Sequence, residues 1–212
     1  MIKLFDISKK FGNRMILNDI SIEFPTGGFY LLRGDSGCGK STLLRIIAGL
    51  EKQSKGSVFL SDKEADTLPP NRRNISMVFQ HAAIFSHMSI RANICFGAKR
   101  NDTAAMLRME QLIDKLELTE LQNKRPSQLS GGELKRVAIA RALVPDRSIY
   151  LFDEPLTNLD PDLKKKVFEI ITEYTADKTI LYVTHENDLE AYSALPTYLL
   201  TQADGSLVLQ PR

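Results

Sequence analysis

The chain has 212 residues, 43% of them hydrophobic, with 28 basic and 26 acidic side chains and a formal charge of +2. That suits one large domain or a core with one insertion, and it excludes both a disordered chain and the strong basic excess of a nucleic-acid footprint. Cys38 and Cys95 stand far apart, Met1–Asp6 lacks a signal-peptide apolar stretch, and no run reaches bilayer-spanning length, so a soluble chain in a reducing, cytosolic compartment is expected.

Taken in order, Ile2 to Ile7 alternates apolar and polar residues, as a half-buried strand does. Ile16 to Phe24 reads similarly and ends in the turn Pro25-Thr26-Gly27-Gly28. Phe29 to Leu32 and Gly56 to Leu60 are further strands, and the short connections predict partly antiparallel pairing in this first third. Leu68 to Asn74 is a loop, and Ile75 to Phe79 a strand ending at Gln80. From residue 81 to 143 helical patterning takes over, with Met109, Leu112, Ile113 and Leu116 on one face. Ser148 to Phe152 is an apolar run of buried parallel-strand type. Asp162 to Tyr174 is helical, and its Lys164-Lys165-Lys166 run is expected to be a solvated face. Thr179 to Val183 is the next strand; Tyr198–Leu200 and Leu207–Leu209 form a closing hairpin around Asp204-Gly205. The fold class is therefore α/β: a mainly parallel sheet, an antiparallel β subdomain near the N-terminus and an inserted α-helical subdomain. Residues 1–80 and 144–212 are assigned to the core and 81–143 to the helical part.

Between the strand at 29–32 and the apolar helical run at 43–50 lies Gly34-Asp35-Ser36-Gly37-Cys38-Gly39-Lys40-Ser41-Thr42. It fits the phosphate-loop pattern G-x-x-x-x-G-K-[ST] without mismatch and in the strand–loop–helix setting the pattern requires. Glycines let successive N–H groups point into one concavity, and the following helix adds its free N–H groups and positive dipole end. Lys40 is expected to reach the β- and γ-phosphates, and the Ser41 hydroxyl to ligate Mg²⁺.

Ligands of open α/β sheets bind at the carboxyl ends of the strands, and four strands here end in suitable groups: the phosphate loop, Gln80, Asp153-Glu154 and His185. Asp153 follows four apolar residues and is placed to hold Mg²⁺; Glu154, one residue on, is placed to orient or deprotonate an attacking water. Gln80 suits the metal shell and the same water, and His185 suits donation to the γ-phosphate. Together these point to a nucleotide hydrolase. Leu129-Ser130-Gly131-Gly132-Glu133 adds a capping box, Ser130 with Glu133, so a helix starts there. Two glycines in its first turn waste helix propensity unless the backbone must approach something closely.

In this combination and order the chain resembles the nucleotide-binding subunit of ATP-binding cassette (ABC) transporters over essentially its whole length. Residues 34–42 match the family's Walker A motif, Ile149–Asp153 Walker B, Glu154 the catalytic glutamate, Gln80 the Q-loop, Leu129–Glu133 the signature, Leu159-Asp160 the D-loop and His185 the switch histidine. Phe11 stands where the adenine-stacking aromatic is expected. The resemblance implies an ATPase using ATP and Mg²⁺, working as a head-to-tail pair of nucleotide-binding domains. In that pair Ser130, Gly131 and Gly132 of one copy touch the ATP of the other, and Asp160 communicates across the interface. It further implies transmembrane permease partners seated on the segment from Gln80 to Phe96, a substrate-binding protein if the system is an importer, no nucleic acid, and a place on the inner face of the membrane. One departure is Glu133, where the family's commonest residue is Gln; a carboxylate there is expected to alter affinity for the partner's ATP. Leu68 to Gln80 resembles bacterial import ATPases, although the chain stops at Arg212, before the regulatory domain many of those carry. The alternatives are a small export or lipoprotein-release ATPase, or a non-transport ABC ATPase of DNA repair or translation.

Overall fold

The structure, a computed structural model, describes residues 1–98, 102–185, 192, 195–203 and 206–211, with side chains described as far as residue 200. The predicted turn Asp204-Gly205 lies outside the described residues. Two compact units emerge: Met1–Ile75 with Ser148–Asp153 and Asp177–Arg212, and Ser76–Arg147 with Glu154–Ala176.

In chain order the first unit carries β1 (Ile2–Phe11), β2 (Arg14–Phe24), β3 (Phe29–Gly34), α1 (Lys40–Ala48), β4 (Lys55–Leu60) and β5 (Lys63–Glu64). The short strand β6 (Ile75–Val78) runs across the division between the units. The second unit holds α2 (Ile90–Cys95), α3 (Thr103–Lys115), α4 (Gly131–Leu143) and α5 (Pro161–Tyr174). β7 (Ile149–Asp153), β8 (Thr179–Val183), β9 (Thr197–Ala203) and β10 (Ser206–Pro211) return to the first.

The first unit contains an antiparallel sheet in the order β2-β1-β4-β5 and a second sheet in the order β10-β9-β3-β8-β7. In the second sheet β9, β3, β8 and β7 are parallel and only β10 is antiparallel to its neighbour. β7 and β8 are buried at every position, as their continuous apolar runs require of strands covered on both faces. β1 is longer than its alternating half because the register shifts between Leu4 and Ile7, where Asp6 takes φ +49°. That bulge carries the strand on to Phe11. The Asp6 side chain accepts the Ser21 hydroxyl at 2.8 Å while the Asp6 N–H donates to the same Ser21 oxygen at 2.8 Å, so the bulge is held locally.

α1 buries Leu43, Leu44, Ile46 and Ile47 completely. Each such side chain contributes about 1.5–3 kcal/mol relative to exposure, which fixes the helix that follows the phosphate loop. Its far end is closed by Gly49 at φ +76°, whose N–H donates to Ile46 O at 3.0 Å. Arg73 also converges there: its buried guanidinium donates to the carbonyls of Ile46 (3.1 Å), Ile47 (2.9 Å) and Leu68 (3.0 Å).

In the second unit the α3 face predicted from spacing is buried, with Met109, Leu112, Ile113 and Leu116 at most 3% exposed. Asp102 caps that helix by accepting from the Ala105 N–H at 3.0 Å. On α5 the basic run divides: Lys165 and Lys166 are exposed as a solvated face should be, whereas Lys164 is buried. Helical geometry explains this, because Lys164 shares the inner stripe with Val167, Phe168 and Ile171 at i+3, i+4 and i+7.

Candidate functional site

The phosphate loop of the first unit joins β3 to α1. Gly39 precedes the helix at φ +104°, a backbone conformation that leaves only glycine unstrained, and a Cβ there would come within 2.7 Å of Leu17 Cδ2. No side chain caps α1, so its first N–H groups are not taken by the protein's own oxygens at the cap. Lys40 is buried, 6% exposed. It donates to the loop's own carbonyls at Gly34 and Asp35, both at 2.7 Å, and lies 3.6 Å from Cys38 Sγ. The loop is thus wrapped around a cation that its own oxygens hold in place. Ser41 donates its hydroxyl to Asp153 Oδ1 at 3.0 Å, and that carboxylate, ending β7, is 2% exposed. A hydroxyl on a buried carboxylate is a hard-oxygen pair that suits a small divalent cation. Among the described residues no group of three or more His, Cys, Asp or Glu side chains could hold a metal alone.

His185 lies two residues beyond β8 and is exposed. Phe11 ends β1 and is 49% exposed, with the Lys9 amine 4.6 Å from its ring centroid. Lys9 is itself anchored, donating to Glu51 Oε1 at 2.6 Å and Lys52 O at 2.7 Å. The Lys9 hydrogen bond draws the Glu51 carboxyl below the ordinary carboxylate range.

The second unit gathers a different set. Glu154 stands at φ +49°, in the left-handed region that costs a non-glycine residue about 1–2 kcal/mol. Three groups surround it. Gln80 Nε2 donates to its Oε2 at 3.1 Å; the Thr157 hydroxyl donates to its carbonyl at 3.3 Å; Lys135 Nζ donates to that carbonyl at 3.2 Å and to Thr157 O at 2.7 Å. A cavity of about 520 Å³ lies alongside, lined by Gln80, Lys135, Thr157 and Asn158 and by the backbone at Gly131 and Gly132.

Ser130 caps α4 as its spacing predicts. The Glu133 N–H donates to Ser130 Oγ at 3.3 Å, and Glu133 Oε2 accepts from both the Ser130 N–H (2.6 Å) and the Ser130 hydroxyl (2.7 Å). These bonds, the backbone one first, hold the Glu133 carboxyl below its usual range. A Cβ on Gly132 would press on Leu159 Cδ2 at 3.1 Å, whereas one on Gly131 would meet open space. Asp160 caps α5, accepting the Leu163 N–H at 2.9 Å.

The structure therefore joins Ser41, next in the chain to Lys40, to Asp153 in one unit and Gln80 to Glu154 in the other; one peptide bond links Asp153 to Glu154. Four residues with consequences went unread in the sequence: Arg73, Asn93, Lys135 and Arg141. Buried Asn93 exchanges hydrogen bonds with the Phe85 backbone at 2.8 and 3.1 Å, and Arg141 donates to Ala82 O and Ala83 O, so the stretch after Gln80 is clamped from both sides. The apolar residues of that stretch separate accordingly. Ile90 and Ile94 are core, while Phe96 is 57% exposed, its ring tilted against Phe85 with centroids 4.4 Å apart.

Residues 17–157 match the family described as ABC transporter. A spermidine/putrescine import ATP-binding protein, PotA, of Bacillus cereus is 41% identical over 193 residues, covering 89% of this chain and 59% of that protein. A Brucella abortus protein named as ATP-binding is 44% identical over 216 residues, covering 98% and 58%. The chain thus spans just under three-fifths of the length of these curated relatives. Among solved structures, the dimeric post-hydrolysis state of the cassette MJ0796 bound to ADP and Pi superposes with a TM-score of 0.85 at 27% identity, covering 100% of this chain and 98% of that one. A nucleotide-free ATP-binding cassette from an ABC transporter, 24% identical with a TM-score of 0.80, shares the fold.

Proposed function

The chain belongs to the ABC transporter family, and from that premise we propose that it binds and hydrolyses ATP to energise transport across a membrane. The observation that carries this reading is the contact of Asp153 with Ser41, next in the chain to the buried Lys40. A buried ammonium held by exchangeable carbonyls, a hydroxyl and a buried carboxylate are what a Mg²⁺–triphosphate needs.

In this reading Phe11 stacks on adenine, and the backbone of residues 34–42 cradles the phosphates. The Lys40 ammonium exchanges the carbonyls of Gly34 and Asp35 for β- and γ-phosphate oxygens. Ser41 and Asp153, joined by Gln80, would hold Mg²⁺, which would neutralise charge on the phosphates. Water attacks the γ-phosphorus; the new P–O bond forms as the bond to the β–γ bridging oxygen breaks, ADP keeps that electron pair, and Glu154 takes the proton shed by the water. His185 donates to the γ-phosphate oxygens, where negative charge is concentrated.

The site is completed by a second copy, whose Ser130, Gly131 and Gly132 contact the γ-phosphate side of the nucleotide. The open space at Gly131 supports this, since intramolecular packing gives no reason for glycine there. ATP then joins two chains, and hydrolysis releases them. The exposed Phe96 on Phe85 offers an apolar seat for a permease helix, which would place the chain peripherally on the inner face of the membrane. No helix among the described residues is long and apolar enough to cross a membrane. The polyamine-import relatives favour an importer, with permease subunits choosing the cargo and a substrate-binding protein delivering it.

The decisive experiment is Glu154→Gln. Turnover is expected to be lost while light scattering detects an ATP-dependent dimer that ADP does not support. Native turnover in that variant overturns the assignment of the base.

A further inference from the structure

Lys135 is a half-buried helix cation whose ammonium turns onto backbone carbonyls. Its ammonium reaches from the second turn of α4 to the carbonyls of Glu154 and Thr157, spanning the turn that presents the Glu154 carboxylate. That turn is held away from its relaxed form: Glu154 and Asn158 both have positive φ, +49° and +66°. Backbone in the left-handed region persists where neighbours over-determine it, and here one ammonium ties both ends of the segment. The Thr157 hydroxyl adds a third bond to the Glu154 carbonyl, and Gln80 Nε2 sets the carboxylate's direction.

We propose that Lys135 is a positioning residue for Glu154, clamping its backbone so that the carboxylate points at the attacking water. This rests on the reading of Glu154 as the base. Lys135 lies five residues beyond Ser130 on one continuous helix, whose first turn is locked by the Ser130–Glu133 capping box. Whatever engages the start of α4 is therefore coupled, through a rigid 13-residue helix and one ammonium, to the carboxylate of the same chain. A nucleotide held against Ser130 by a second copy thus acts on Glu154 without touching it.

The test is steady-state ATPase kinetics of Lys135→Met, Lys135→Arg and Glu154→Gln, with thermal midpoints. Lys135→Met is expected to lower kcat about 10- to 100-fold, the cost of a misplaced catalytic group, with KM for ATP changed by less than about 2-fold. Lys135→Arg, which can still donate to two carbonyls, is expected to recover most of kcat. Native kcat in Lys135→Met overturns the proposal, as does a fall in kcat that Arg does not rescue. Should Lys135→Met melt early, Lys135→Gln, which keeps one donor, is expected to fold with an intermediate kcat; a native or Met-like kcat there also overturns it. If Glu154→Gln itself turns over normally, the reading of the base fails first, and the kinetics separate the two failures.

Discussion

Replacing Glu133 by Gln should weaken the isolated chain and strengthen its ATP-bound dimer. The carboxylate accepts two hydrogen bonds from Ser130, at 2.6 and 2.7 Å, in the first turn of α4. Gln keeps an acceptor oxygen and therefore the capping box, but it loses the charge. The charge-assisted part of those bonds and the interaction with the helix N-terminus together contribute about 1 kcal/mol after allowance for the half-exposed setting. For a chain of this size that corresponds to a melting shift of about 2–4 °C. The sign with pH is fixed by the lowered pKa. A depressed carboxyl contributes stability that is fully present above its unfolded pKa and is lost as pH falls through the folded one, so the native advantage should vanish in acid, below the ordinary carboxylate range. In the proposed dimer, removing the charge would also remove a repulsion with the partner's phosphate, about 0.5 kcal/mol for two unit charges roughly 7–8 Å apart in water and several-fold more if the interface excludes solvent. Dimerisation by ATP should tighten at least about 2-fold. Urea melts from pH 3 to 8 and light scattering with a non-hydrolysing variant read the two effects. A variant whose stability difference is flat with pH, or whose ATP-driven dimer is weaker than native, refutes the reasoning.

Lys40→Met should abolish nucleotide binding by equilibrium dialysis while leaving the far-UV spectrum native, because the loop's carbonyls at Gly34 and Asp35 can turn to water. Phe11→Ala should raise KM for ATP about 5- to 100-fold, the range for losing an aromatic stacking partner of a base, while binding of inorganic triphosphate stays as it was. Arg73→Met should lower the urea-derived stability by about 2–4 kcal/mol, because three carbonyls lose a buried charged donor. An Arg73→Met chain as stable as native would mean those carbonyls find other partners.

Where one physical signal dominated, the sequence was readable. β7 and β8 announce themselves as unbroken apolar runs because both faces are covered, and α4 begins at Ser130 because the capping box is a local device. The phosphate loop was legible for the same reason: its glycines answer a backbone demand that no other residue meets. The extension of β1 to Phe11 was hidden because a bulge at Asp6 breaks the alternation, and bulges depend on the partner strand. Lys135, Arg141 and Arg73 were hidden for a common reason. A long cation on a helix or loop reads as solvated, and what draws it inward is a set of carbonyls left over by the fold elsewhere in the chain. Such a demand has no sequence period. The pairing of Gln80 with Glu154 was half visible: both were recognised as polar groups at strand ends, but their 3.1 Å contact depends on the αL turn at Glu154.

The glycine and the arginine at the far end of α1 amount to a single residue in two places. A methyl group on Gly49 would sit 2.5 Å from Arg73 Nε and 2.7 Å from its Cζ, so even alanine evicts the guanidinium, quite apart from the strain of φ +76°. The two substitutions should therefore be far from additive: once Arg73 is gone, the steric half of the penalty at Gly49 disappears. Burial lowers the Arg73 pKa, yet an arginine remains charged at any pH a cell reaches. The helix that carries Lys40 and Ser41 is thus moored at its rear by a contact that no change of acidity can release, and any lineage that exchanges one member of the pair inherits pressure to exchange the other.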